Sequence, residues 1–395
     1  MDINKLAVDI QSEVVGWRRY LHQIPEVGNE LEDTSGYVQD CLNKMGIPFV
    51  TMVNGSGVVG TITGAGTGKT IALRADMDGL AMLEDTNEEF RSTNIGKMHA
   101  CGHDAHVAML LGAAKILNDH RASINGTVKL IFQPGEEGPG GAALMIEEGC
   151  LEGVDAIFGQ HIGCLVRDVK ESGKIIVSHD VAMASADIFE VKIIGKSAHG
   201  AYPEDGINPI LIAAQVINGI NMMKVSNCPS TTPSVISICM IEGGTASNII
   251  PNEVTLKGSL RSVDSEMRTE MLSKLKQISE SISLACGVVR CDFAHSFGYD
   301  ITKNDHAMAS LVIKSAKDLG MDNDVILQST PVMGSEDMSF FLNQVPGAYY
   351  FLSSIVRQGE DNEIFKHHHG KFMLDESVFP KGVALFVQIV ANYLA

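Results

Sequence analysis

The stretch that decides the fold reads Ile71-Ala72-Leu73-Arg74-Ala75 and runs directly into Asp76-Met77-Asp78. Two later stretches repeat this plan: 128–132 runs into Gln133-Pro134-Gly135-Glu136-Glu137, and 155–159 runs into Gln160-His161. Short apolar strands that alternate with helical patterns are typical of an α/β layer. Because ligand sites in open α/β sheets gather at the carboxyl ends of the strands, we expect these acidic and histidine residues to converge.

From about Asp187 the pattern changes to a second kind of unit. A strand with alternating polarity at 187–194 is followed by a helix that Asn208-Pro209 opens, two strands at 235–241 and 254–261, a helix from about Met267 and a strand near 289–293. This βαββαβ order is the split βαβ, or ferredoxin-like, unit of α+β type. The α/β style returns after about Phe297. The sequence therefore predicts one domain from residues 1–182 and 298–395, with an inserted domain at 183–297.

Length and charge limit the partners of the chain. With 395 residues and 45% hydrophobic content, it exceeds what one compact domain usually carries. The net charge of −18 and the absence of dense Lys or Arg runs argue against nucleic acid as a partner. No secretory signal or membrane-spanning stretch is visible, so we expect no membrane association. Eight cysteines without a Cys-x-x-Cys pair favour reduced thiols, and the predicted location is cytoplasmic.

The densest group of reactive side chains is Met98-His99-Ala100-Cys101-Gly102-His103-Asp104-Ala105-His106, which leads into a helical run. Cys101 and His103 flank one glycine at the predicted helix start, which suits two ligands of one divalent metal ion. A buried cysteine with helix-capping histidines explains the isolated motif equally well. The motif alone therefore leaves both interpretations open.

Glu136 and Glu137 stand at a predicted strand end between glycines. Two adjacent carboxylates repel each other unless a cation or a proton separates their roles. One could bind metal while the other takes a proton from water, although a lone Glu-Glu pair is more often a solvated acidic turn. His161 and the cluster His367-His368-His369 add possible nitrogen ligands.

Five motifs then occur in a fixed order: 73–78 (LRADMD), 98–106 (MHACGHDAH), 135–138 (GEEG), 195–200 (GKSAHG) and 334–337 (GSED). Together they resemble the metallopeptidase superfamily of aminoacylases and glutamate carboxypeptidases. The resemblance is to its amidohydrolase branch, which contains hippurate hydrolases and indole-3-acetyl-amino-acid hydrolases. It covers nearly the whole chain, and the Met-His-Ala-Cys-Gly-His-Asp element is its most specific signal.

The resemblance implies a zinc-peptidase-like catalytic domain with a mixed sheet flanked by helices, and an inserted lid or dimerisation domain at 183–297. It implies Glu136 as the general base and Asp78 as a carboxylate that orients a ligand. His99, Asp104 and His106 would be structural or supporting residues. The implied metal ligands are Cys101, which could bridge two ions, His103, Glu137, His161 and His368. The proline that usually follows the last ligand is absent, so His367 or His369 could replace His368.

In the inserted domain the resemblance implies three residues that meet the substrate. His199 would stabilise the oxyanion, while Asn248 and Arg261 would recognise a carboxylate or carbonyl group. Without the resemblance, Asn248 would be read as a turn former and Arg261 as a surface residue.

The predicted function is metal-dependent hydrolysis of N-acyl amino acids by two divalent ions per subunit. Mixed thiolate, imidazole and carboxylate ligands suit zinc best, with manganese or cobalt as alternatives. A homodimer or homotetramer is expected. The alternatives are a dipeptidase or carboxypeptidase, a hydrolase in which Cys101 is the nucleophile and His103 its base, and a non-catalytic protein that binds metal or peptide.

Overall fold

The computed structural model describes residues 1–138, 140–227 and 232–395. The chain divides into two compact units. The large unit comprises Met1–Ala182, Thr302–Val332 and Asp337–Ala395, and the inserted unit comprises Met183–Ile301 and Met333–Glu336. The sequence predicts boundaries at 183 and 297. That the inserted unit acts as a lid or a dimerisation domain stays a prediction.

The large unit contains a mixed eight-stranded sheet in the order β1-β2-β4-β3-β5-β16-β6-β15. The central strands β4, β3, β5 and β16 run parallel, whereas β1 and β2 are antiparallel additions at one side. The predicted α/β class with a mixed sheet flanked by helices is therefore confirmed. The strands are β1 (Phe49–Met52), β2 (Gly57–Thr63), β3 (Thr70–Asp76), β4 (Thr127–Gln133), β5 (Ala156–Gly163), β6 (Ile175–Val177), β15 (Val325–Leu327) and β16 (Gly347–Ser353), with a separate pair β7 (Val181–Met183) and β14 (Thr302–Lys303).

Helices cover this sheet, and the most buried is the helix that follows the Cys101-Gly102-His103 motif. It packs against the second helix, the last helix and β3. The last helix begins at Phe379 and ends at Tyr393. The helices of the large unit are α1 (Ile3–Asp9), α2 (Gln11–Gln23), α3 (Glu32–Met45), α4 (His103–Asp119), α5 (Gly141–Glu147), α8 (His306–Asp318), α9 (Met338–Leu342) and α10 (Phe379–Tyr393).

The parallel strands bring the predicted polar positions to one edge of the sheet. Asp76, the last residue of β3, is aligned with Gln133, the last residue of β4. The sequence suggested that His161 follows the end of β5. Instead, β5 continues to Gly163, and His161 lies inside the buried strand. The strand is longer than predicted because its register with β16 extends from Ile157 to Gly163.

The inserted unit has the predicted βαββαβ order, with a sheet in the order β10-β12-β8-β13. Residues alternate between buried and partly exposed along β12, and Arg261 lies on the more exposed face. The sequence predicts a buried face of α6 with Ile210, Ala214, Ile217 and Ile220. Of these, Ile220 is buried and Ile217 partly buried, but Ile210 and Ala214 are exposed, and Ile212, Ala213 and Val216 are buried instead. Apolar residues of α6 itself occur on all of its sides, so the periodicity of the sequence does not identify one buried face. The elements are β8 (Asp187–Ile194), β9 (Ala198–His199), α6 (Pro209–Asn227), β10 (Ser234–Glu242), β11 (Ile249–Ile250), β12 (Glu253–Ser262), α7 (Ser265–Ala285) and β13 (Arg290–Phe297).

The structure also bears on membrane-spanning helices and on the state of the cysteines. Among the described helices, none combines the length and the apolar character that crossing a membrane requires. The described cysteines are free thiols.

Candidate metal centre

The centre is built around the turn that starts α4. Gly102 has a φ of +92°, in the left-handed region that glycine adopts most readily. A Cβ at this position would also lie 3.1 Å from Ile162 Cγ2 and 3.3 Å from Leu374 Cδ1. Both the backbone conformation and the close packing therefore require glycine here. The turn holds Cys101 and His103 on either side, both buried.

Potential ligand atoms gather in four overlapping groups around this turn. Within each group the atoms lie within 4.8 Å of one another. Cys101 belongs to two groups and His103 to three, so the groups form one continuous cluster. The groups are Cys101 with His103 and His161, Cys101 with Glu137 and His368, His103 with Glu136 and Glu137, and His103 with Asp76 and His106. The structure thus brings together the five residues predicted as ligands and the predicted base.

The pKa values of two side chains in this cluster are raised by an excess of nearby carboxylates. Burial by itself would lower the pKa of His103, but the carboxylates of Asp76 and Asp78 raise it to about 10. Burial and the carboxylates of Glu137 and Glu136 raise the pKa of Cys101 well above its ordinary value. A bound cation would relieve both effects, because it favours thiolate and neutral imidazole.

The nitrogens of His103 give a second test of the fit. Neither ring nitrogen makes a hydrogen bond within the described residues, although the side chain is fully buried. Its Nδ1 lies 3.4 Å from Oδ1 of Asp78 in an ion-pair contact. A buried imidazole without hydrogen bonds is costly unless another partner satisfies it. The residues present therefore fit divalent metal ions held by sulfur, nitrogen and oxygen atoms.

Asp78 fixes the turn that carries the two adjacent glutamates. Its Oδ1 accepts a hydrogen bond from the backbone N–H of Glu136 at 3.0 Å, and its Oδ2 accepts one from that of Glu137 at 2.9 Å. Because the same carboxylate faces His103, Asp78 connects the turn to α4. This arrangement suits the supporting role that the sequence predicts for it.

The three consecutive histidines have three different environments. His368 Nε2 lies 3.0 Å from Glu137 Oε1, and the backbone of His368 has a φ of +61°. His367 is directed elsewhere, since its Nε2 accepts a hydrogen bond from the backbone N–H of Cys164 at 3.0 Å. The ring of His369 stacks on Phe365, with centroids 4.7 Å apart. Of the three, His368 is the one that joins the cluster.

Two of the remaining histidine-motif residues lie beside the cluster. His106 donates from Nδ1 to Asp76 at 2.5 Å and accepts at Nε2 from the backbone of Ile162 at 2.9 Å, so both of its nitrogens are engaged. His99 is buried, and burial lowers its pKa to about 3. His106 also belongs to a group of potential ligand atoms, with Asp76 and His103, whereas His99 belongs to none of the groups among the described residues.

A buried ionic network next to the cluster was missed from the sequence. Arg74 donates to Gln133 Oε1, Asp76 Oδ2 and Asp337 Oδ1 at 2.7–2.8 Å. Asp337 also accepts from Gln133 Nε2 and from the backbone of Ala142. The available signal was the presence of a charged residue, Arg74, inside an otherwise apolar strand. Such a residue is almost never fully buried unless it is paired.

The three predicted substrate-binding residues lie in the inserted unit. His199 in β9 pairs with Ile249 in β11, and the backbone N–H of Gly200 donates to the carbonyl of Asn248 at 2.7 Å. His199 and Asn248 are therefore neighbours, and both are exposed.

Arg261 lies on β12, and no described contact joins it to the other two predicted residues. Its Nη1 lies 3.3 Å from the carbonyl oxygen of Met333 and 3.4 Å from Oγ of Ser335. These contacts use one end of the guanidinium group.

Comparisons with known proteins show the family to which the chain belongs. A family model described as "Peptidase family M20/M25/M40" matches residues 72–392. The chain is 37% identical to thermostable carboxypeptidase 1 of Saccharolobus solfataricus over 99% of this chain and 98% of that protein. It is 36% identical to an N-acyl-L-amino acid amidohydrolase of Geobacillus stearothermophilus, over 75% of this chain and 80% of that protein.

A solved structure extends the similarity to three dimensions. The YXEP protein of Bacillus subtilis, described as a dinuclear metal binding peptidase, matches with a TM-score of 0.84 and 30% identity over 98% of this chain and 99% of that chain. The family model covers most of this chain, and the Saccharolobus solfataricus relative matches it nearly end to end. The chain therefore belongs to peptidase family M20/M25/M40.

Proposed function

We propose that the protein hydrolyses the amide bond of N-acyl amino acids and releases a carboxylic acid and a free amino acid. Membership of the family makes the chain a metal-dependent amide hydrolase. The observation that carries the proposal is the position of Glu136, a buried carboxylate beside a complete set of candidate ligands. A protein that only bound metal would need the ligands but not this second carboxylate.

The proposed ligands are Cys101, His103, Glu137, His161 and His368, which would hold two divalent ions, with zinc as the best match to the donors. When bound, such ions acidify water and polarise the carbonyl oxygen of an amide. Deprotonation of Cys101 would accompany binding, because burial and neighbouring carboxylates disfavour its thiolate without a cation.

Glu136 is the proposed general base and acid. It is 6% exposed, and its Oε2 lies 3.9 Å from Nε2 of His103. The carboxylate accepts the proton of the attacking water and then donates it to the leaving nitrogen. Asp78 keeps this carboxylate in place, since it binds the backbone N–H groups of Glu136 and Glu137.

The inserted unit supplies the proposed substrate contacts. His199 would stabilise the negative charge on the tetrahedral oxygen, and its exposed ring leaves it accessible. Arg261 would bind the substrate carboxylate through the nitrogens that do not contact Met333 and Ser335, and Asn248 would bind a carbonyl group. A homodimer or homotetramer and a cytoplasmic location also remain proposals.

The alternative in which Cys101 is a nucleophile has less support. The raised pKa of Cys101 keeps its thiol protonated in the absence of metal, and a thiol is a poor nucleophile compared with a thiolate. The pKa of the predicted base, His103, is raised to about 10 by neighbouring carboxylates, so its ring is already protonated; Nε2 of a second imidazole, His161, lies 3.4 Å from Sγ. Burial lowers the pKa of His161 well below its ordinary value, so His161 would be a weak base.

A carboxypeptidase or dipeptidase is the second candidate, since the similar Saccharolobus solfataricus protein is named a carboxypeptidase. Both candidates cut an amide bond next to a free carboxylate. They differ in whether the acyl group is itself an amino acid. A substrate panel therefore has to contain both kinds of compound.

Chelation is expected to abolish amide hydrolysis, and an added divalent metal ion is expected to restore it. Metal content is measured by mass spectrometry, and released amino acid is measured with ninhydrin. The panel contains N-acetyl, N-benzoyl and indole-acetyl amino acids and dipeptides. Metal-free protein that still releases amino acid would exclude the proposed mechanism, and release from dipeptides alone would favour the second candidate.

Replacing His368 with alanine is expected to weaken metal binding by at least ~10-fold, because even supporting residues of metal sites contribute about 10–100-fold. The matched control is His369→Ala, which removes the neighbouring imidazole that stacks on Phe365 instead. Competition with a chelator measures the affinity of each variant. Equal losses in the two variants would remove His368 from the ligand set.

A further inference from the structure

Asp104 follows the candidate ligand His103 directly and is fully buried in the first turn of α4. Its Oδ2 lies 2.8 Å from Nε of Arg18 and 2.7 Å from Nδ1 of His22. Both partners come from α2, and both are nearly inaccessible to solvent. A buried carboxylate is costly unless it is paired, so these two contacts hold the first turn of α4 against α2.

His22 extends this chain of contacts to the loop that precedes the histidine motif. Its Nε2 lies 3.2 Å from Oε1 of Glu84, so each ring nitrogen faces a carboxylate. Burial and Arg18 lower the pKa of His22, but Asp104 and Glu84 outweigh them and raise it. Glu84 in turn accepts hydrogen bonds from the Thr86 hydroxyl and from the backbone N–H of Ser92.

Arg18 extends the chain in the other direction, to the segment that follows His368. Its Nη1 donates to Oε1 of Glu376 at 3.3 Å. Arg19 binds the same carboxylate, with Nη2 2.7 Å from Oε2. The start of this segment also packs on the metal-site turn, because Leu374 is one of the two residues that leave no room for a side chain at Gly102.

These contacts connect two stretches of chain that carry candidate ligands. Asp104 is covalently next to His103, and Glu376 lies eight residues after His368. None of the four side chains Arg18, His22, Glu84 and Asp104 belongs to the groups of potential ligand atoms in the described residues. They can therefore affect a metal ion only through the ligands that they hold in position.

We propose that Arg18 and His22 are positioning residues of the metal centre, which hold Asp104 and thereby set the orientation of His103. This inference rests on the proposed function in one respect, namely that the cluster around Cys101 and His103 binds metal. Partners outside the ligand set typically contribute about 10–100-fold to metal affinity, because they keep a ligand in the geometry that the metal requires. A purely structural clamp between α2 and α4 would contribute to stability alone.

Three substitutions of His22 separate these roles. In His22→Asn the side-chain amide can replace Nδ1 and still donate to Asp104, whereas in His22→Gln it reaches the position of Nε2 and can donate only to Glu84. His22→Leu removes both donors. Affinity for Zn²⁺ is measured by competition with a chelator. The Co²⁺-substituted proteins are compared by the thiolate-to-cobalt charge-transfer and ligand-field absorption bands.

We expect His22→Leu and His22→Gln to weaken Zn²⁺ binding by about 10–100-fold and to shift the cobalt bands. His22→Asn should stay within a few-fold of the native affinity. If all three variants bind like the native chain, or if the asparagine variant is as damaging as the glutamine variant, His22 does not act through Asp104. Should the leucine variant fail to fold, the contrast between asparagine and glutamine still decides the matter.

A matched pair of arginine variants controls for lost stability. Arg268 in the inserted unit is buried like Arg18 and binds two carboxylates, Asp187 at 2.7 Å and Asp300 at 2.8 Å. Arg18→Gln and Arg268→Gln should both lower the midpoint of thermal unfolding, but only Arg18→Gln should weaken Zn²⁺ binding. Equal effects of both variants on Zn²⁺ affinity would mean that the contacts of Arg18 only stabilise the fold and do not position His103.

The result can be distinguished from a failure of the proposed function. A native chain that binds Zn²⁺ while the variants bind it equally well overturns the positioning role alone. A native chain that binds Zn²⁺ but hydrolyses none of the substrates overturns the proposed function and leaves the affinity comparison valid. A native chain that binds no divalent ion would overturn both.

Discussion

Replacing Glu136 with glutamine is expected to lower kcat by about 10²–10⁴-fold, the usual contribution of a general acid or base. Glutamine keeps the size of the side chain but cannot accept the proton of the attacking water. Because Glu136 is not among the proposed ligands, the metal content should stay unchanged. We compare kcat of the variant and the native protein by steady-state kinetics on an N-acyl amino acid, and we measure the metal content of the same preparations.

The control for this variant is Glu147→Gln, which makes the same chemical change at an exposed position at the end of α5. It should leave kcat within a few-fold of the native value. Loss of metal from Glu136→Gln would instead make Glu136 a ligand. Full activity of that variant would mean that another group moves the proton.

Replacing Arg74 with methionine is expected to cause the largest loss of stability. Arg74 is 2% exposed and pairs with Asp76 and Asp337, so the substitution removes a buried cation that both buried carboxylates share. Removing one partner of a buried ion pair typically costs about 3–5 kcal/mol. The midpoint of thermal unfolding should fall by several degrees, as measured by calorimetry or circular dichroism.

Arg290→Met tests whether the loss of any arginine has this effect. Arg290 pairs with Asp292, but both side chains are exposed, and exposed pairs contribute little. Adding Asp76→Asn and Asp337→Asn to Arg74→Met should recover part of the stability, since the negative charges that Arg74 balanced are then removed. No recovery in the triple variant would show that packing of Arg74, rather than its charge, is what stabilises this region.

The architecture could be predicted because it depends on local patterns. Apolar strands that end in acidic residues predicted the α/β layer, and the alternation along 187–194 and 254–261 predicted the inserted sheet. The weaker predictions concern places where the pattern is ambiguous. Helix α6 has apolar residues on every side, so its sequence does not single out one buried face. The polar residue His161 lies within β5, where a polar residue suggests the end of a strand.

The candidate site was predictable in part from the order of its motifs. The roles of Cys101, His103, Glu137, His161 and His368 as ligands remain predictions, and the structure adds that their side chains converge. Which of the three consecutive histidines joins the cluster could not be read from the sequence. It depends on the left-handed backbone of His368 and on the space at Gly163, where a Cβ would lie 2.2 Å from Nε2 of His367.

The sequence by itself determined the types of element, their order and the family to which the chain belongs, because these depend on neighbouring residues and on short motifs. Only the tertiary structure decided which charged groups share the interior. Arg74 meets Asp337 across 263 positions, and Arg18 meets Glu376 across 358. Such pairs form because burying an unpaired charge is costly, so a buried charge is stable only where the fold places an opposite charge beside it. Nothing in the local sequence states which partner that will be.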